Sequence, residues 1–379
     1  MADKTQIEWT DATWNPLTGC TRVSPGCDHC YIDWAPPFRI ENRHFTVPCP
    51  LCASSGNRAC RRCGGSGTIR SNAPGSTTGV QLHPERLEQP LRWRRPRKVF
   101  VNSLSDLFHP DVPDEFIVEV FAIMAQAPRH VFQVLTKRHG RMRALLQSES
   151  FELAVYNARS DDIAEGDDMP WPLPNVWLGV TVEDQKHAEL RVPALLDTPA
   201  AVRFLSCEPL LGPVDVSRLL TCQVCQGGGG LPAGAEWPLI FCSTCDGTGT
   251  VIDWVIVGGE SGTDARPMHP DWARALRTQC ETAAVPFLFK QWGEWAPATD
   301  DHGYQRSHTK GLTSKTPSGG HRSIYLDQLG VERTTNDLST FTIPSDWARL
   351  ARVGKRNAGR SLDGRHWNGY PLEGQPGNA

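Results

Sequence analysis

"KVFVNSLSD", residues 98–106, is an apolar, β-branched run that stops abruptly in polar residues. A strand of a parallel sheet reads this way, because both faces are covered along its length and its carboxyl end emerges into a loop. The same pattern returns in "HVFQVLTKR" (130–138), "VWLGVTVED" (176–184), "VRFLSCEP" (202–209) and "DWVIVGGESG" (253–262). Between these runs, "PDEFIVEVFAIMAQA" (113–127), "HAELRVPALLD" (187–197) and "DWARALRTQCETAA" (271–284) place apolar residues at helical spacing, and "VPFLFKQWGEW" (285–295) adds a last strand. With one strand counted before the first cysteine, six or seven β/α units fit residues 5–295. The expected fold class is therefore α/β, a complete or partial (β/α) barrel of the TIM-barrel kind in preference to a doubly wound sheet. In such barrels chemistry sits on the loops at the carboxyl ends of the strands.

The chain has 379 residues, 39% of them hydrophobic and 21% charged, with a formal net charge of -3. No global basic field argues for nucleic acid or an anionic surface, so partners must be argued locally. The opening "MADKTQIEWTDATWN" has no apolar stretch after its charges, and no run approaches the roughly 20 apolar residues of a membrane span. A cytoplasmic protein without a membrane partner is expected, and nothing fixes its oligomeric state. In a reducing compartment its 13 cysteines stand as thiols, and short spacings then point to metal.

Two Gly-rich segments interrupt the β/α pattern. Residues 49–67 carry Cys49, Cys52, Cys60 and Cys63, and residues 222–249 carry Cys222, Cys225, Cys242 and Cys245, each as two C-x-x-C pairs. Four thiolates suit tetrahedral zinc, and the glycines that follow let backbone N–H groups approach the sulfurs. Two zinc ions are expected. The spacing allows pairing within or across the segments, and the shorter loop closures favour pairing within each. C-x-x-C-x-G-x-G resembles the zinc modules of Hsp40-type co-chaperones, which implies structural zinc and not chaperone activity. The acidic stretch 158–168 reads as a solvated loop. After the barrel at 1–295 come a polar irregular segment at 296–342, an ordered extension at 343–371 and a disordered tail at 372–379.

Cys20, Cys27 and Cys30, spaced C-x6-C-x2-C, leave a fourth ligand unnamed. As a third zinc site they need His29 or His44. As a four-iron, four-sulfur (4Fe-4S) site they need no protein residue, because three cysteines hold three irons and the fourth stays open.

Together, "IEWTDATWNPLTGCTRVSPGCDHCY", "VNSLSDLFH", "LTKR", "WLGVTVED", "FLSCEPLLGPV", "WVIVGGESG", "ARPMHPDW", "PFLFKQWGEW" and "GKRNAGRSLDGRHW" make the chain similar to a phage and bacterial three-cysteine-motif family. That family is named after phage gene products thirty-seven and sixty-eight, and the resemblance runs through most of residues 6–367 outside the insertions. It implies a radical S-adenosylmethionine (radical SAM) class of enzyme. There the open iron chelates the cofactor's methionine, an electron cleaves the sulfonium, and the radical formed abstracts a substrate hydrogen. The reaction and substrate are not implied. Two departures from the usual radical SAM pattern stand out: C-x3-C-x2-C is the ordinary spacing, and Asn102, Ser103 and Asp106 occupy the place of Gly-Gly-Glu after the second strand. Gly258, Gly259 and Glu260 do spell Gly-Gly-Glu, at the end of a later strand.

Further candidates end strands on the same face. Asn102, Ser103 and Asp106 are placed to meet the methionine end of the cofactor, and Thr181 with Glu183 its ribose. Gly258, Gly259 and Glu260 join them as cofactor-binding candidates, and Glu208 and Lys137 are the catalytic ones, Lys137 beside Arg138 as an anion site. Lys290 and Gln291 precede Trp292 and Trp295, which suit base stacking. "RWRRPRK" (92–98) and the group Lys355, Arg356, Arg360 and Arg365 suit phosphate. The leading expectation is a radical SAM iron–sulfur enzyme acting on a nucleotide, nucleic-acid base or other phosphate-bearing substrate, with an electron donor as partner. A zinc-only nucleic-acid adaptor and a radical SAM enzyme on a peptide or protein are the alternatives.

Overall fold

The β-branched runs do form strands. In the computed structural model, which describes residues 5, 7–52, 60–159, 169–231, 240–245, 247–298, 323–334 and 343–371, seven strands stand in one sheet in chain order. These are β1 (Ala12–Trp14), β2 (Lys98–Val101), β3 (Val131–Thr136), β4 (Val176–Thr181), β5 (Val202–Cys207), β6 (Trp254–Gly258) and β7 (Phe287–Gln291). A doubly wound sheet reverses its strand order at a switch point. This order contains no reversal, which is consistent with the partial-barrel expectation. The chain divides into two compact units, within residues 1–176 and 177–379.

In the first unit β1, β2 and β3 pair in parallel, with Thr13 opposite Phe100 and Val99 opposite Phe132. Trp14 and Phe132 are fully buried and meet at 5.8 Å between ring centroids. Helix α1 (Asp114–Gln126) returns the chain from β2 to β3, and it buries Phe116, Ile117, Val120, Phe121 and Met124. Each such side chain contributes about 1.5–3 kcal/mol by leaving water. Asp114 and Glu115 in its first turn oppose the positive end of the helix dipole. Its other end is closed by Asn175, whose Nδ2 donates to the carbonyls of Met124, Ala127 and His130 at 2.9, 3.3 and 3.2 Å. Helices α2 (His139–Leu146) and α3 (Glu149–Asn157) follow β3.

In the second unit β4 is buried at all six positions, as a strand covered on both faces must be, and the pairings β4–β5, β5–β6 and β6–β7 are parallel. Helix α4 (Gln185–Leu196) begins where Asp184 accepts the His187 amide at 3.0 Å, and α5 (Pro270–Thr282) where His269 accepts the Asp271 amide at 3.1 Å.

The segment 296–342 is not irregular throughout. β8 (Trp295–Pro297), β9 (Ser323–Leu326), β10 (Glu332–Thr334) and β11 (Ala348–Arg352) form an antiparallel sheet in the order β8-β11-β9-β10. Trp295, Ala296, Ile324, Leu326 and Leu350 are buried in this sheet. Part of the extension at 343–371 lines β7: Phe289 N donates to Trp367 O at 3.0 Å and Gly369 N to Phe287 O at 2.9 Å. Backbone groups on that side of β7 thereby find partners. The tail 372–379 and most of the acidic stretch 158–168 lie outside the described residues. No helix among the described residues is long and apolar enough to cross a membrane.

Candidate functional site

The three-cysteine loop leaves β1 at its carboxyl end. Cys20 is pinned by residue 78, since its amide donates to Thr78 Oγ1 and its carbonyl accepts the Thr78 amide, both at 3.0 Å. Cys27 ends a single 3-10 turn, Pro25–Cys27, and its carbonyl accepts the Cys30 amide at 3.2 Å. Between the last two cysteines the backbone is held by Arg22, buried with its guanidinium 4.2 Å from the Phe45 ring and donating to Asp28 O. Cys20 and Cys30 both pack against the apolar cluster of Ile32, Phe38 and Phe45. Burial pushes the Cys20 thiol up to about 12 and Cys30 up to about 11, so an uncompensated thiolate is disfavoured there and a bound cation would reverse the preference.

The next two strands of the first unit send their carboxyl ends to the same loop. Asp106, beyond β2, accepts the Phe108 amide at 3.1 Å, Thr136 Oγ1 at 2.7 Å and the Lys137 amide at 3.0 Å. Arg138, beyond β3, donates from Nη1 to Asp106 Oδ2 at 2.9 Å and to Cys20 Sγ at 3.6 Å, and from Nη2 to Thr21 O at 2.9 Å. Burial alone would raise the Asp106 pKa, but Arg138 and these hydrogen bonds outweigh it and hold the carboxyl below its ordinary value. Lys137 lies close enough to Cys30 to favour its thiolate. His109 accepts the Asp111 amide at Nδ1, 3.1 Å, so its Nε2 carries the proton and donates to Thr21 Oγ1 at 2.8 Å. His44, weighed above as a zinc ligand, turns its ring nitrogens to Asp33 at 3.4 Å and Asn42 at 3.2 Å.

Asn102 takes a left-handed backbone, φ 60°, and is 3% exposed. Its amide oxygen and nitrogen are both buried without a hydrogen-bond partner among the described residues. Its neighbour Ser103 is tied down, with Oγ against Asn15 and its carbonyl accepting the Tyr31 hydroxyl.

The remaining eight paired cysteines assemble locally. Cys49, Cys52, Cys60 and Cys63 form one quartet and Cys222, Cys225, Cys242 and Cys245 the other, with all ligand atoms in each within 4.8 Å of one another. The closest sulfurs stand 3.5–3.8 Å apart. A tetrahedral ion with bonds of about 2.3 Å needs edges of roughly 3.8 Å, so both sets fit zinc. Gly249 N donates to Cys245 Sγ at 3.3 Å. Burial works against the Cys63 thiolate, yet the Gly67 and Gly65 amides and the neighbouring Cys60 bring it down to about 6. Cys242 falls to about 7 against the same penalty, helped by the Thr244 amide. The first quartet is closed by Thr46–Pro48 pairing with Thr68–Arg70 and the second by a bridge between Thr221 and Thr250. Cys20, Cys27 and Cys30 do not form such a compact set among the described residues.

In the second unit, Glu208 and Lys290 meet at 2.9 Å. A Cβ on Gly258 would fall 2.6 Å from Glu208 Oε1, and one on Gly259 would fall 2.0 Å from Trp292 O. Close packing therefore requires glycine at both positions. Glu260 accepts Arg266 through its amide at 2.8 Å, Nε at 2.9 Å and Nη2 at 2.7 Å. Glu183, fully buried, accepts Arg191 Nη1 at 2.7 Å, and the same guanidinium donates to Thr181 O at 2.6 Å. The Thr181–Glu183 pair thus anchors α4. Trp292 and Trp295 are core residues, with ring N–H groups on Ser361 O at 2.8 Å and Ala265 O at 2.7 Å. Cys207 is buried, and burial drives its pKa well up. The basic run 92–98 leads into β2 at Lys98, so it sits at the opposite end of that strand from Asp106, with Arg97 over Trp93 at 5.0 Å and Arg92 paired with Glu88 at 3.1 Å.

Residues 4–371 match the family described as a protein of unknown function, DUF5131. The chain belongs to this DUF5131 family. No curated protein and no solved structure matches it. The match takes in both cysteine quartets, the three-cysteine loop and the Arg138–Asp106 pair of this DUF5131 member.

Thr136, Thr21 and His109 were not singled out by sequence. The signal was present in "LTKR", where the threonine before the basic pair ends the strand and turns its hydroxyl to the buried carboxylate. Nothing in the sequence announced Thr78, because its contact with Cys20 spans 58 positions.

Proposed function

We propose that Cys20, Cys27 and Cys30 hold a four-iron, four-sulfur cluster and that the chain is a radical SAM-type enzyme. The observation that carries this reading is the placement of three thiols, not gathered as tightly as either quartet, on the carboxyl-end loop of a parallel strand beside Asp106 and Arg138. Sulfurs bound to separate irons stand farther apart than sulfurs sharing one ion. Of the two histidines a third zinc site needs, His44 is engaged elsewhere, which leaves His29 as its candidate ligand. When bound, the cluster and S-adenosylmethionine supply an electron and a carbon-centred hydrogen acceptor.

The chain's own residues fit such a cofactor at two points in the first unit. Asn102 presents a buried donor and acceptor that no described residue meets, which suits a polar small-molecule group. The fixed Asp106–Arg138 pair stands beside Cys20, with Arg138 Nη1 3.6 Å from its Sγ, and Lys137 adds a positive charge near Cys30. That charge favours a phosphate-bearing substrate such as a nucleotide or nucleic-acid base. Glu208 with Lys290 forms a second polar pair at strand ends and is our candidate for substrate contact in the second unit.

The test is anaerobic reconstitution followed by reduction in the presence of S-adenosylmethionine. About four irons per chain and release of 5′-deoxyadenosine are expected. A protein that takes up zinc alone and forms no 5′-deoxyadenosine refutes the proposal.

A further inference from the structure

Arg138 is fixed more firmly than a side chain that merely neutralises Asp106 would need to be. Nη1 bonds Asp106 Oδ2 at 2.9 Å, Nη2 bonds Thr21 O at 2.9 Å, and the side chain is 9% exposed. Asp106 is itself held by Phe108 N, Thr136 Oγ1 and Lys137 N. With the guanidinium plane so fixed, Nη1 also faces Cys20 Sγ at 3.6 Å. The donor already points at the sulfur, so using it requires no rearrangement.

We propose that Arg138 donates an N–H···S hydrogen bond to Cys20 when that sulfur ligates the cluster, and that this bond raises the cluster's reduction potential. The inference rests on the iron–sulfur reading of the loop. A thiol is a poor acceptor, but a metal-bound thiolate is a strong one for a cationic donor. Reduction adds negative charge to the cluster and its sulfurs, so a fixed donor stabilises the reduced form more than the oxidised form. Arginine suits the task because one planar group serves Asp106, Thr21 and Cys20 together, whereas a lysine ammonium lacks the fork. Arg138 is thus a positioning and tuning residue, and Asp106 sets its aim.

Two variants of the full chain test this, each reconstituted anaerobically and titrated by electron paramagnetic resonance, with iron and zinc counted. Arg138→Lys keeps the charge and loses the fork. The double variant Arg138→Met with Asp106→Asn removes one positive and one negative charge, so the donor to Cys20 is lost while the local net charge is unchanged. In both, the loaded cluster should be harder to reduce, with the reduced-to-oxidised ratio at a fixed poise falling about tenfold, or 59 mV for a one-electron couple. A merely structural role would lower the iron content and leave the potential of the loaded fraction unmoved, and that result overturns the inference. Failure of both variants to load iron while zinc is retained also overturns it, because Arg138 would then serve assembly. A wild-type protein that loads no cluster refutes the reading of the loop itself, and the iron count distinguishes that failure from the others.

Discussion

Glu208 and Lys290 bridge at 2.9 Å across the end of a strand to which neither belongs. Glu208 follows β5, Lys290 lies in β7, and β6 runs between them, ending in Gly258. The bridge exists because Gly258 has no side chain: a Cβ there would meet Glu208 Oε1 at 2.6 Å. Gly258→Ala should displace the carboxylate and cost about 1–3 kcal/mol in thermal unfolding. Glu208→Gln keeps the shape and loses the charge, so it should retain both zincs and the iron while lowering 5′-deoxyadenosine formation or substrate turnover at least about tenfold. Unchanged turnover in Glu208→Gln would remove this residue from the chemistry.

Metal content should separate by cysteine group. The eight quartet cysteines should hold two zincs, and replacing Cys20, Cys27 and Cys30 by alanine should abolish the brown absorbance while leaving both zincs. Cys225→Ser should cost one zinc and leave the iron. Iron absorbance that survives the triple replacement would refute the assignment.

Asn102 gives a prediction in which stability and binding move apart. Glycine accepts the left-handed backbone at 60°, and it removes an amide buried without partners. Asn102→Gly should therefore unfold at the same temperature or slightly higher, while its affinity for S-adenosylmethionine, measured by calorimetry, falls about tenfold or more. Equal loss of both would make the amide structural.

Asp363 ties the C-terminal extension to α5 through Arg274 at 2.8 Å and Arg277 at 2.6 Å. Burial opposes its ionisation, but the two arginines prevail and lower its pKa. A carboxyl with a depressed folded pKa stabilises above its unfolded value, about 3.9, and that contribution is lost as pH falls through the folded value. Protection of the 363–371 amides from exchange should drop as pH is lowered below about 4. Asp363→Asn should show reduced protection already at neutral pH and little further change on acidification.

The strands were legible because a parallel strand buried on both faces needs a largely apolar run, and Val176–Thr181, buried at every position, supplies one, as does Phe204–Leu205 at the centre of Val202–Cys207. The zinc quartets were legible because C-x-x-C spacing states its own geometry. The partners of polar and aromatic side chains were not legible. Glu260 stands in a Gly-Gly-Glu run, but nothing in that run indicates that Arg266, six positions later, donates to both its oxygens. Trp292 and Trp295 suit stacking on a base by sequence, though a Trp is more often core, and both are buried, with ring N–H groups on Ser361 and Ala265. The strands at 323–326 and 332–334 escaped notice because two short, half-exposed strands carry too few apolar positions to show alternation.

The first zinc-type insertion leaves the chain at Pro48 and rejoins it at Thr68, which face each other as paired residues. The second does the same at the bridge between Thr221 and Thr250. A segment whose entry and exit are neighbours can be lengthened, shortened or exchanged without changing the register of any strand outside it. Evolution can therefore add or discard these knuckles as cassettes, and length differences among relatives should collect at these two doorways while the spacing from Cys20 to Cys30 stays fixed.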